Sequence, residues 1–276
     1  MKKRKRRQRI LNILVVLALI IALLPLYLVI VNSLKSMMEL VKGVFKLPVE
    51  WKWFNYAYAF KRMNYVRSLI NTVLVEIVAN LGLTIFGTMA GYWLVRHDTH
   101  MNNVIHVLLL AGAAIPFQAI MIPLVRLMNN MHLGGKLIGV GIAYWGMASS
   151  TIVLLTYGAV KSIPLEIEEA GIIDGCTQIG VFTRIVFPLL RTNVLTVTIL
   201  NVFWVWNDYL MPQLLVGNKK NLYTIQMALK AFSGENIVRW DYLLPGVILA
   251  MLVPVILFIL LQKWIIHSMV SGAVKG

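Results

Sequence analysis

The sequence predicts an all-α polytopic membrane protein, a single transmembrane domain over residues 1–276 with six transmembrane helices and one cytoplasmic helical loop at 162–191. Three observations predict it. Of 276 residues, 59% are hydrophobic and 13% charged, and the mean hydropathy is +0.77; a soluble domain of this length needs more charge to cover its surface. The apolar residues gather in six blocks, at 10–31, 68–95, 103–128, 137–161, 191–215 and 242–266, each of about the length that crosses hydrocarbon. Lys2, Lys3, Arg4, Lys5, Arg6, Arg7 and Arg9 stand directly before the first block. Each block reads as a helix, because strands in hydrocarbon leave backbone groups unpaired.

The basic cluster places the N-terminus in the cytoplasm beside anionic lipid, and six crossings return the C-terminus to that side. The net charge of +15 raises the question of nucleic acid. No aromatic residue interleaves the basic run, so a stacking platform for single strands is lacking and no nucleic-acid partner is expected. The block at 10–31 is too long for a signal-peptide core, and no small-x-small cleavage site follows it. It reads as a retained span. The segment Asn32 to Arg67 carries lysines and arginines of its own but is placed outside, because the first helix usually dominates orientation. Within it Trp51, Trp53, Tyr56, Tyr58 and Phe60 suit an interfacial helix at headgroup level.

The link Arg96-His97-Asp98-Thr99-His100 reads as a short cytoplasmic turn. His97 and His100 have i,i+3 spacing, but no second ligand pair accompanies them. Cys176 is the only cysteine, which rules out an internal disulfide. No metal and no cofactor is expected.

Residues Ser162 to Arg191 look unlike a connection. Pro164 suits a first helical turn. Glu166, Glu168 and Glu169 follow where the helix dipole favours acids. Asp174-Gly175 ends that helix, and Thr177 caps a second one. Ile179, Val181, Phe182, Ile185 and Val186 recur in it at helical spacing. Pro188 is expected to break it before the fifth span. A half-apolar plug of this kind must bury a face, either in a groove on a soluble partner or against the chain's own spans.

The segment resembles the EAA loop of ABC import permeases, with the pattern E-A-A, three residues, G, nine residues, I-x-L-P. Glu169, Ala170, Gly171, Gly175, Ile185, Phe187 and Pro188 stand at matching spacing, with Gly171 replacing the second Ala and Phe187 the Leu. The wider chain is similar to the maltose-type second permease subunit of carbohydrate importers. That likeness rests on Ile115-Pro116-Phe117-Gln118 with Ile122-Pro123-Leu124, on Trp206-Asn207-Asp208-Tyr209-Leu210 with Pro212, and on the ending Ser271-Gly272-Ala273-Val274-Lys275-Gly276.

The resemblance implies a permease subunit of an ATP-driven importer in the bacterial cytoplasmic membrane, moving a sugar, oligosaccharide above all, by alternating access. It implies a heterodimer with a homologous second permease, a dimeric cytoplasmic ATPase and an extracytoplasmic sugar-binding protein. The chain itself is no enzyme. It has no GxxxxGK[ST] phosphate cradle, which leaves ATP to a partner. The implied coupling residues are Glu168, Glu169, Ala170, Gly171, Asp174, Gly175, Ile185 and Pro188, and Gly272 and Lys275 would reach the ATPase interface. The outer loop from Gly217 to Asp241 reads either as a reach toward the binding protein or as an ordinary solvated loop.

Polar groups at membrane depth invite functional suspicion: Asn71, Glu76, Asn80 and Gln118, with Asn201, Asn207 and Asp208 in the fifth span; the substrate-path candidates drawn from them are Asn71, Glu76, Gln118, Asn201 and Asn207, joined by Trp204. Each also reads as an interhelical hydrogen-bonding group. Trp204 and Trp206 with Asn201 and Asn207 offer the aromatic faces and amides that sugars want. Three rivals stand beside the main reading. An importer of another solute is the nearest. A secondary transporter needs paired midplane carboxylates, and Glu76 is the one deep acid. A membrane enzyme needs a catalytic constellation, and the five histidines sit mostly at span ends or in loops.

Overall fold

The computed structural model describes residues 2–233 and 238–273. Among these the regular structure is helical. In order the α-helices are α1 (Lys2–Ser33), α2 (Met37–Lys42), α3 (Phe54–Arg62), α4 (Tyr65–Arg96), α5 (His100–Ala113), α6 (Phe117–Asn130) and α7 (Leu137–Lys161). They continue as α8 (Leu165–Ile173), α9 (Gln178–Val181), α10 (Phe187–Asn207), α11 (Leu210–Val216), α12 (Ile225–Leu229) and α13 (Trp240–Ala273). The chain divides into two compact units, residues 1–65 with 228–253, and residues 66–227 with 254–276.

In the first unit α1 joins the basic tail and the first apolar block in one helix. After it the outer segment folds on itself. Ser36 and Glu39 form a reciprocal capping box on α2, and Glu39 Oε1 also accepts from the Val49 N–H at 2.8 Å. Lys35 is buried, and its ammonium donates to Asn32 Oδ1 at 2.8 Å and to the Gly43 carbonyl at 3.1 Å. Asn55 Nδ2 donates to the Lys35 carbonyl at 2.9 Å. The aromatics of this segment serve two purposes. Trp51 and Trp53 are exposed, as an interfacial anchor requires. Tyr56 instead hydrogen-bonds Ser33 at 2.7 Å, and Tyr58 packs on Tyr242 with centroids 4.0 Å apart.

In the second unit α4 and α7 pack closely through small residues. A Cβ on Gly82 would meet the Trp145 ring, one on Gly87 would meet Ile152 and one on Gly91 would meet Thr156. Trp145 Nε1 donates to the Val78 carbonyl at 2.8 Å. Residue numbers rise together along both helices, so the two run parallel. Against α10 the order reverses: Asn201 Nδ2 donates to Asn80 Oδ1 at 3.0 Å, and Thr198 meets Thr84 at 3.0 Å. The core between these helices includes Val75, Ala79, Leu83, Tyr144, Ile152 and Val197.

Every fourth residue of α4 is polar: Ser68, Thr72, Glu76, Asn80, Thr84, Thr88, Tyr92 and Arg96. All are buried or half-buried. The residues one position on, Val73, Ile77, Leu81, Ile85, Met89 and Trp93, are apolar and exposed. With about 3.6 residues per turn, the two adjacent stripes wind slowly around the helix.

Two expectations change. The third block is not one straight helix: α5 and α6 meet at a bend of 111°. Pro116, which lacks an N–H and forces Ile115 from the helical region, explains the break. The fifth helix runs from Gln178 to Asn207 without a break at Pro188. A π-turn over Phe182–Val186 precedes α10, and the Phe187 N–H reaches back to the Phe182 carbonyl. Bonding is therefore already displaced where Pro188 has no N–H to give. The break falls at Asp208–Tyr209 instead, and α11 follows as a separate helix.

Among the described residues, five helices are long and apolar enough to cross a membrane, and the bent pair together passes the same test. Because α4 and α7 are parallel, the chain between them must return to the side from which α4 started. The bent pair thus counts as one net crossing, which gives six.

Candidate functional site

The loop between α7 and α10 is built from local signals. Pro164 is the N-cap of α8 rather than its first residue. Glu166 and Glu168 lie in the first turn, and Glu169 lies one residue beyond it. The helix closes in a Schellman arrangement, with the Cys176 N–H on the Gly171 carbonyl and the Gly175 N–H on the Ile172 carbonyl, both at 2.9 Å. Gly175 has φ +86°, a conformation that costs a side-chain-bearing residue but not glycine. Thr177 caps α9 by accepting from the Gly180 N–H at 3.2 Å.

The loop has two faces. Inward, Val181 and Val186 are buried with Val160, Leu190 and Val194, and Phe182 packs beside them. Gly171 is buried so close to Ile185 that a Cβ would stand 2.3 Å from its Cδ1. The glycine that departs from the E-A-A pattern thus lies against Ile185, which stands 14 positions later in the same pattern. Glu168 is 3% exposed. Its Oε1 accepts from Arg96 Nε at 2.8 Å and its Oε2 from the Tyr92 hydroxyl at 2.8 Å. Arg96 Nη2 also donates to the Ile163 carbonyl at 3.0 Å. One carboxylate therefore ties α8 to the end of α4, and the same guanidinium ties both to the end of α7.

Outward, Glu169, Ala170, Asp174 and Gly175 are exposed, with Ile172, Ile173 and Ile179 among them. Ile173 is 85% exposed. One apolar face of the plug is thus packed on the chain's own spans, and the other is open. Ile185 is half-buried, and Pro188 is exposed.

The path candidates separate into two groups. Asn71, Glu76 and Asn201 are buried. Asn71 Nδ2 holds the Asn221 and Tyr223 carbonyls, each at 3.0 Å. Asn201 leads through Asn80 to Glu76 Oε2, the last step 2.7 Å long. Glu76 Oε1 has no hydrogen-bond partner among the described residues. By contrast Gln118, Trp204 and Asn207 share one cavity of about 550 Å³ with Phe117, Phe203 and Asp208. Trp206, paired with Trp204 in the sequence reading, is buried away from it. Phe117, Phe203, Leu210 and Met211 are the lining residues that sequence reasoning missed; the helix breaks beside them were the available signal. At the C-terminal end Gly272 falls within α13, and Lys275 lies outside the described residues, as do Gly234, Glu235 and Asn236 of the outer loop.

Comparison with known proteins gives a consistent result. Residues 83–271 match the family described as binding-protein-dependent transport system inner membrane component. The chain is 33% identical over 251 residues to a probable starch degradation products transport system permease protein of Thermoanaerobacterium thermosulfurigenes, covering 91% of each. It is 34% identical to the melibiose/raffinose/stachyose import permease protein of Bacillus subtilis, covering 99% of this chain and 100% of that one. Among solved structures it resembles, at 20% identity and a TM-score of 0.80, a chain of a bacterial ABC transporter involved in the import of the acidic polysaccharide alginate, covering 95% of this chain and 98% of that chain.

Proposed function

The chain belongs to the binding-protein-dependent transport system inner membrane components, and from that premise we propose that it is the maltose-type second permease subunit of an ATP-driven sugar importer. As a multi-pass inner membrane protein it carries out no hydrolysis. ATP is hydrolysed by a cytoplasmic ATPase dimer, a homologous permease completes the membrane pore, and an extracytoplasmic binding protein delivers the sugar. The starch-product and raffinose permeases among its relatives support a neutral oligosaccharide as cargo.

The observation that carries the mechanism is the two-faced loop. A lever must be rigid toward the body it moves and offer contacts to the body that drives it. The Glu168–Arg96–Tyr92 tie and the buried Gly171–Ile185 contact supply the first. The exposed Glu169, Ile172, Ile173 and Asp174 supply the second. In this reading the loop, and with it both termini, is cytoplasmic. ATP-driven closure of the ATPase moves α8 and α9, and α4, α7 and α10 tilt with them to change the side that is open. Gly272 and Lys275 add a second contact to the same ATPase.

The test is to purify the tagged chain with its associated proteins and reconstitute the complex in vesicles. ATP-dependent accumulation of raffinose or of a malto-oligosaccharide, delivered by the copurified binding protein, is expected. Accumulation driven by an ion gradient without ATP would overturn the reading.

A further inference from the structure

We propose that the cavity between the two helix breaks is a subsite for a neutral saccharide, so that this subunit touches the cargo itself; the inference rests on the permease reading above. Two spans interrupt their hydrogen bonding beside it, at Ala114–Pro116 and at Asp208–Tyr209. Non-helical backbone within a span persists where it is buried in protein or lines a watery cavity, and transporters place substrates at such breaks. Here both breaks flank one cavity of about 550 Å³, inside the range of small-molecule sites, roughly 300–1,000 Å³. It also lies toward the end of α10 remote from the coupling loop, the end at which a sugar would arrive.

The lining selects the ligand. Phe117, Phe203 and Trp204 present aromatic surface, and Gln118, Asn207 and Asp208 present polar atoms. Trp204 stands edge-on to the buried Tyr144, with centroids 5.4 Å apart and planes at 78°, which fixes its ring. Asn207 Nδ2 is committed to the Phe203 carbonyl at 2.8 Å, so its Oδ1 is the atom left to accept. The Gln118 amide is exposed and can both donate and accept. Asp208 already accepts from the Tyr144 hydroxyl and from the Leu210 N–H, each at 2.8 Å. Both of its oxygens are thus held in place, and each keeps a lone pair for a sugar hydroxyl.

Among the described residues no lysine, arginine or histidine lines the cavity, so a carboxylated or phosphorylated sugar would find no counter-charge there. Flat C–H faces for the rings and hydroxyls for the amides describe a neutral pyranoside.

The test measures sugar accumulated per ATP hydrolysed by the reconstituted complex, with raffinose and maltotriose as probes and an alginate oligomer as the charged probe. Trp204→Ala and Asn207→Ala should each lower that ratio about tenfold for the neutral sugar that the wild type transports, equivalent to ~1.4 kcal/mol of lost contact. Trp204→Phe should restore most of it. An unchanged ratio in both alanine variants overturns the subsite while leaving the permease reading intact. Wild-type complex that accumulates no neutral sugar overturns the permease reading instead.

Should either alanine variant fail to assemble, Asn207→Cys in a Cys176→Ser background gives an independent measurement. The transported sugar should slow its reaction with a hydrophilic thiol reagent, and the alginate oligomer should not. Equal protection by the alginate oligomer refutes the selectivity, and no protection by a transported sugar refutes the subsite.

Discussion

Replacing Glu168 cuts the tie between the coupling loop and the spans. The side chains of Arg96 and Glu168 are 14% and 4% exposed, so solvent screens the pair little. Removing one partner of a buried pair typically costs about 3–5 kcal/mol. Arg96 keeps the Ile163 and Val160 carbonyls, at 3.0 and 3.4 Å, which softens the loss. Glu168→Ala is therefore expected to cost about 2–3 kcal/mol. Glu168→Gln keeps an acceptor for the guanidinium and should cost about 1 kcal/mol.

Stability against SDS titration, measured for the single variants Glu168→Ala and Arg96→Ala and for the pair, yields their coupling energy. We expect more than about 1.5 kcal/mol, since contacting residues in one network couple by roughly 0.5–3 kcal/mol. The functional counterpart is futile cycling: Glu168→Ala complexes should hydrolyse ATP with little sugar uptake. Additivity within about 0.5 kcal/mol, together with normal uptake per ATP, would refute the argument that this carboxylate transmits the movement.

Three further outcomes follow from the geometry. Gly175→Val places a β-branched residue at φ +86°, where strain of about 1–3 kcal/mol is expected; the chain should still reach the membrane by immunoblot, and ATP-dependent uptake should be lost. In a Cys176→Ser background, a cysteine at Asn218 should react with an impermeant thiol reagent from outside and one at Gln178 should not, with equal labelling contradicting the orientation. The Ser36 and Val49 N–H groups hold the Glu39 carboxyl down at about 2, below the usual 4.5. Its contribution to the outer segment is then complete above about 4.5 and is lost as pH falls through about 2. The protection of amides 36–49, taken as the ratio of intrinsic to observed exchange rate at each pH, should stay flat from pH 7 to 5 and fall toward pH 3, and Glu39→Gln should show lower protection at pH 7 and lose that acid dependence.

Much of the loop was legible because its signals are local. Asp174-Gly175 and Thr177 act on their own backbone, and α8 and α9 are bounded where those residues stand. The inward and outward roles of Glu168 and Glu169 were not legible. Adjacent helical residues point about 100° apart, and only the position of Arg96, 72 residues earlier, decides which one is buried. Proline gave two different results for a related reason. At Pro116 nothing replaces the lost hydrogen bonding and the helix bends, whereas at Pro188 the preceding π-turn has already shifted it. The polar candidates in the spans could not be sorted by sequence, because an amide holding a loop, as Asn71 does, and an amide facing a cavity, as Asn207 does, are the same residue type.

The paired stripes of α4 bear on how the protein is made. The polar stripe carries Glu76 within the span and Arg96 at its end, and a charged side chain at the centre of a lone helix raises its insertion cost by about 2.5–3.5 kcal/mol. The partners arrive late: Glu168 lies in α8, and Thr198 and Asn201 lie in α10. When α4 leaves the ribosome, none of them has been synthesised. Its apolar stripe can settle against lipid at once, while its polar stripe must be shielded by the translocon or by water until α10 is threaded beside it. Biogenesis therefore has a vulnerable interval that ends when the fifth span enters, and a chain cut short before Gln178 would leave α4 as a substrate for membrane quality control.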